Sequence, residues 1–84
     1  MDAKTFLKEN LSAKQYEELH KYLGIGPKRA TRIKTRPEIM NIEEIKRLGK
    51  IINPKEPIQG ALDLLAAGCG QSIVTIGESK LLTE

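Results

Sequence analysis

The sequence predicts an all-α fold: a small bundle of four to five helices, with one short β-branched stretch near the C-terminus that reads as a strand. Three observations predict it. Apolar residues recur at helical spacing in several short segments, and most of those segments open on a recognisable cap and close on glycine or proline. At 84 residues the chain suffices for one small domain, which buries about 60% of the surface its unfolded chain exposes. Aromatic residues are limited to Phe6, Tyr16 and Tyr22, so Leu and Ile on helices must supply most of the core.

Taken in order, Asp2 is placed to cap a first helix running to about Glu9, with Phe6 and Leu7 as its apolar contacts. Ser12-Ala13-Lys14-Gln15 has the spacing of a capping box, in which the Ser hydroxyl accepts from an amide three residues on and the Gln side chain reaches back. Leu11 and Tyr16 flank it as a hydrophobic staple. Tyr16, Leu19, His20 and Leu23 then lie on one helical face, and Gly24 ends that second helix. Gly26-Pro27 starts a third helix almost at once, since Pro at the first helical position loses only an amide that had no partner. Pro37 disfavours helical geometry at Arg36, so this helix should stop near Thr35.

Asn41-Ile42-Glu43-Glu44 repeats the cap-like start, and Ile42, Ile45, Leu48, Ile51 and Ile52 follow at helical spacing up to Asn53-Pro54. Gly49 in that helix costs about 1 kcal/mol relative to Ala, which suggests either a close backbone approach or mere tolerance of that cost. After a Lys55-Glu56-Pro57 connector, Ile58, Ala61, Leu62, Leu64 and Leu65 mark a fifth helix that Gly68-Cys69-Gly70 terminates. Ser72-Ile73-Val74-Thr75-Ile76 is the strand candidate.

Composition removes several function classes. Hydrophobic residues form 39% and charged residues 30% of the chain, a globular balance. The longest strictly apolar run is Leu64 to Ala67, too short to cross a membrane, and no apolar stretch follows Met1-Asp2-Ala3-Lys4 as a secretory signal would require. One cysteine forms no internal disulfide, and Cys69 with His20 does not complete a zinc site, so a reducing, cytoplasmic setting, no metal and no cofactor are expected.

The net charge of +3 hides an asymmetry. Residues 1–55 hold 13 Lys/Arg against 7 Asp/Glu, whereas residues 56–84 hold Lys80 against four acids. Lys28, Arg29, Arg32, Lys34 and Arg36 fall within nine residues that contain no acid, an electrostatic footprint suited to phosphate. Two helices joined by a short glycine-containing turn, with the cations on the second, form a helix-turn-helix. Leu19 and Leu23 would meet Ala30 and Ile33, Ile25 would plug the turn, and Lys28, Arg29 and Arg32 would face outward toward a major groove about 12 Å wide.

Gln15, Glu18-Leu19, Leu23-Gly24-Ile25 and Thr31-Arg32-Ile33 resemble the signature of the lambda-repressor-like (XRE) helix-turn-helix family, over about residues 3–53. The segment from Arg36 to Ile52 resembles that family's next loop and helix. His20, Gly26 and Ala30 depart from its usual residues. The resemblance implies a transcriptional regulator that binds double-stranded DNA. Pro27, Lys28, Arg29 and Arg32 would then be base-reading candidates, and Gln15, Thr31, Lys34 and Arg36 phosphate contacts. Residues 1–55 would form the DNA-binding domain, and residues 56–84 a C-terminal helix and tail, with residues 58–84 able to join two copies as a homodimer.

Two other readings compete. Leu23-Gly24-Ile25-Gly26 with Ala30 and Ile33 also resembles a helix-hairpin-helix, which implies backbone binding to DNA without sequence preference. A protein-interaction module on the same scaffold is the third, because fold alone does not prove function. An enzyme is not expected. Gly24-x-Gly26 follows a helix instead of a strand, Cys69 and His20 share no catalytic motif, and adjacent Glu43 and Glu44 diverge on a helix.

Overall fold

The computed structural model describes residues 2–71, which form an all-α bundle. Among these residues α1 spans Ala3–Asn10, α2 Ala13–Glu17, α3 Leu19–Leu23, α4 Pro27–Thr35, α5 Ile42–Ile52 and α6 Pro57–Ala66. A single 3-10 turn, Pro37–Ile39, links α4 to α5. The strand expected at 72–76 lies outside the described residues. None of the described helices is long and apolar enough to cross a membrane.

Local chemistry sets most boundaries. Asp2 accepts from the Thr5 amide at 2.7 Å and caps α1. The Ser12 hydroxyl accepts from the Gln15 amide at 3.1 Å, and the Gln15 side chain accepts from the Ser12 amide at 2.9 Å, completing the box at the start of α2. Asn41 and Glu44 form the same reciprocal pair at α5, both bonds at 2.8 Å. Each of these two boxes contributes about 1 kcal/mol by satisfying amides that have no partner inside the helix. Gly24 closes α3 at φ +65°, a left-handed conformation that a side chain would strain.

The second predicted helix divides into α2 and α3 at Glu18, which brings the described residues to six helices in the expected small all-α bundle. The Lys21 amide donates to the Glu18 carbonyl at 2.9 Å, one residue short of the α-helical partner. The Glu17 carbonyl instead accepts from Lys34 Nζ at 3.2 Å, and this contact from α4 stabilises the irregular turn. The 3-10 turn was likewise not anticipated. It follows from Pro37, whose buried carbonyl accepts from the amides of Met40 and Gly70 and so joins both ends of the α5–α6 unit.

One core unites the helices: Leu7 and Leu11, Leu19 and Leu23, Ala30 and Ile33, Met40, Ile45 and Leu48, Leu64 and Cys69. Burying each Leu, Ile or Met contributes about 1.5–3 kcal/mol. Leu19 and Leu23 share this core with Ala30 and Ile33, as the helix-turn-helix reading requires, and Ile25 packs against it from the turn. Tyr16 and His20 stand half-buried at its edge.

The most extensive helix contact is between α5 and α6, and two glycines set its distance. A Cβ on Gly49 would sit 2.6 Å from the Ala61 amide nitrogen and 2.9 Å from the Pro57 carbonyl oxygen. A Cβ on Gly60 would collide with the Gly49 carbonyl. The close backbone approach suggested at Gly49 is therefore real, and Gly60 is its partner. Gly49→Ala and Gly60→Ala should each lower stability by about 2 kcal/mol, because separating two backbones outweighs the gain of about 1 kcal/mol in helix propensity. In thermal unfolding that loss appears as a midpoint roughly 10 °C lower; an unchanged or raised midpoint would contradict the close crossing.

Candidate nucleic-acid interface

The residue pattern of α4 divides it lengthwise. Ala30 and Ile33 are buried, while Pro27, Lys28, Thr31, Arg32 and Thr35 are exposed. Pro27, Lys28, Thr31 and Arg32 line one shallow, open depression on the outer side. Apolar burial on one side thus decides the direction of the cations on the other.

The five clustered cations are not equivalent. Arg29 grips Glu44 with two parallel bonds, Nε to Oε2 at 2.9 Å and Nη2 to Oε1 at 2.8 Å. Its Nη2 also donates to the Ile39 carbonyl at 3.0 Å. Arg36 faces Glu38 at 3.3 Å in a largely exposed pair, which contributes little. Lys34 is half-buried, donates to the Glu17 carbonyl and lies 5.3 Å from the centre of the Tyr16 ring, a cation–π contact of about 0.5–1 kcal/mol. Among the described residues, Lys28 and Arg32 are the members of the cluster with no polar partner.

This sorting revises the reading of single residues. Arg29, expected to face outward as a base reader, has its guanidinium committed to Glu44 and Ile39 and ties α4 to α5. Gln15 is half-buried and held in the α2 box, with its side-chain oxygen occupied. The Thr31 hydroxyl donates to the Pro27 carbonyl at 3.0 Å within its own helix and leaves its lone pairs outward. Lys34 lies in the last turn of the same helix, partly withdrawn, and Arg36 just past its end, exposed.

Two residues of this region were not singled out from sequence. Glu44 was legible as a cap but not as the partner of Arg29. Arg47 donates from Nη1 to the Leu23 carbonyl at 2.7 Å, capping the end of α3 beside Gly24, and stays about half exposed. It adds a positive charge next to the turn between α3 and α4. No local signal marks it, since the two groups lie 24 residues apart.

The electrostatics of Glu44 follow from its position. Burial would raise its pKa, but the hydrogen bonds from Arg29 and from the Asn41 amide, with the charges of Arg29 and Arg47, outweigh that and lower it. Hydrogen bonding to Glu44 correspondingly raises Arg29, against the opposing effect of burial. Cys69 behaves differently: burial pushes its thiol up to about 11, so it is a packing group with little thiolate at neutral pH. Among the described residues there is no cluster of His, Cys, Asp or Glu able to hold a metal ion.

Comparison with protein-family models, curated proteins and solved structures gives no match.

Glu44→Gln should lower stability by about 2–3 kcal/mol near neutral pH, somewhat below the usual loss for a fully buried pair because Arg29 is one-third exposed. A carboxylate held below its ordinary value of 4.5 stabilises the fold above that pH, and the contribution fades as pH falls toward the folded-state value. Urea midpoints of the native chain and the variant should therefore differ most above about pH 5 and converge in acid. The comparison between the two proteins cancels the Asp2 cap, whose lowered pKa, from the Thr5 hydrogen bond, also weakens the fold in acid. A gap that stays constant to pH 2 would contradict the assigned pairing.

Proposed function

We propose that the chain binds double-stranded DNA, with α4 as the helix that enters the major groove and Lys28 and Arg32 as its main readers. One observation carries this reading. Of five clustered cations, the two without a polar partner among the described residues stand on the same outer edge of α4, with Thr31 between them and a buried face behind. Lys or Arg at such an edge meets the O6 and N7 acceptors of guanine, with about 1–3 kcal/mol of discrimination per good contact. Arg36, the exposed part of Lys34 and the start of α2 with Gln15 would steady the phosphates to either side. Arg29 belongs to the scaffold that holds α4, not to the reading edge. The resemblance to the lambda-repressor-like family extends the proposal to transcriptional regulation.

A specific observation favours the helix-hairpin-helix reading as the second. Gly26 precedes α4 at φ −71°, an ordinary conformation, and a Cβ there would meet nothing within 4 Å. Neither backbone nor packing requires glycine at this position. Close approach of a DNA backbone to the Gly24–Gly26 turn would require it.

Selection of bound sequences from random duplex DNA at two salt concentrations tests both readings. The major-groove reading expects an enriched motif and a logarithmic salt slope of about −2.7 to −3.6, at about −0.9 for each of about three or four neutralised phosphates. Arg32→Ala should weaken binding to the enriched site roughly 10- to 100-fold and relax preference at one base pair. Binding without enrichment would replace this reading with the hairpin one. Absence of binding, or unaltered binding by the Lys28→Ala/Arg32→Ala double variant, would overturn the proposed interface.

A further inference from the structure

The outer edge of α4 carries two kinds of polar group. Lys28 and Arg32 hold hydrogen-bond donors only, and neither has a polar partner among the described residues. Thr31 is exposed with them in the same shallow depression, and a hydroxyl is able both to donate and to accept. Its one proton is already committed, because Oγ1 donates to the Pro27 carbonyl at 3.0 Å, a turn back in the same helix. What Thr31 offers a ligand is an acceptor oxygen and a methyl group, with no donor.

This state disfavours one partner and selects another. A phosphate oxygen only accepts, so the phosphate contact expected of Thr31 from sequence would require it to give up its bond to Pro27. In the major groove the acceptors are guanine O6 and N7, adenine N7 and thymine O4, and the donors are the exocyclic amino groups of cytosine and adenine. Lys28 and Arg32 suit the acceptors, and Thr31 suits the amino groups. Spacing agrees. Thr31 and Arg32 stand about 4.5 and about 6 Å along the helix axis from Lys28, against a base step of about 3.4 Å. The three side chains thus span about two base steps, or about three consecutive base pairs.

We propose that Thr31 is a specificity-determining residue, which accepts a hydrogen bond from the amino group of a cytosine or adenine adjoining the guanines that Lys28 and Arg32 read. The assignment rests on the major-groove reading of α4 and adds a class of base to it. One hydrogen bond between neutral groups accounts for a preference of about three- to tenfold over guanine or thymine at that position. Thr35 supplies a matched control. Its hydroxyl donates to the Thr31 carbonyl at 3.0 Å in the same manner, but it lies a turn further on, outside the depression that Thr31 lines.

Selection from random duplex DNA by the full-length native chain, Thr31→Val, Thr31→Ser and Thr35→Val tests the assignment, with thermal unfolding to show that each variant folds. Val keeps the size and branching of Thr31 and removes its oxygen, whereas Ser keeps the oxygen. The native chain, Thr31→Ser and Thr35→Val should enrich one motif, with cytosine or adenine favoured at one position beside guanine. Thr31→Val should lose the preference at that position alone and bind the native site about three- to tenfold more weakly. Three results would overturn the role of Thr31 while leaving the major-groove reading standing. They are an unchanged motif in Thr31→Val, as a phosphate contact would give; thymine enriched there and kept by Val, as a methyl contact would give; and the same change of motif in Thr35→Val. A native chain that enriches no motif, or a motif that survives the Lys28→Ala/Arg32→Ala double substitution, would overturn both.

Discussion

A single buried carboxylate organises the part of this molecule that faces outward. Glu44 is 3% exposed and accepts from the Asn41 amide at the start of α5 and from two nitrogens of Arg29 on α4. Through Arg29 it also reaches the Ile39 carbonyl in the connecting turn. Three consecutive pieces of chain are thereby held to one another by charge-assisted bonds in a place largely closed to water, where such bonds are strong and a missing partner is expensive. The apolar seam of Ala30 and Ile33 presses α4 onto the core and sets which side of it faces outward, and the bidentate ion pair ties that helix to α5.

Once α4 is locked in this way, its cations acquire separate roles. Arg29 is neutralised by its acid, Lys34 lies along Tyr16 and the Glu17 carbonyl, and Arg36 has a weak neighbour in Glu38. Lys28 and Arg32, at the outer edge, have no polar partner among the described residues. A run of positive residues in a sequence says how much charge is nearby. The packing of one helix says which part of it a polyanion can meet. The proposed function depends on this distinction.

Between α5 and α6, the constraint is steric. Gly49 and Gly60 let α5 and α6 cross with their backbones in contact, and this crossing positions Leu64 and Cys69 in the core. It also turns Ile58 and Leu62 away from it. The outer apolar side of α6 is the geometric consequence of a close contact on the inner side.

Caps, glycines and prolines made the helix boundaries readable, because each acts on atoms within four residues of itself. The Ser12–Gln15 and Asn41–Glu44 boxes, the left-handed Gly24 and the stop before Pro37 all belong to this class. Hydrophobic period likewise foretold the inward residues Leu19, Leu23, Ala30 and Ile33, and the glycine inside α5 suggested its crossing. The break at Glu18, the role of Arg29, the reach of Arg47 to Leu23 and the two-sided character of α6 were not legible there. Each depends on groups that are far apart in the chain, such as Lys34 with Glu17 or Arg29 with Glu44, separated by 17 and 15 residues. Short-range hydrogen bonding and periodic burial suffice to form helices and choose their inner faces; the pairing of a given cation waits until those faces have closed on one another.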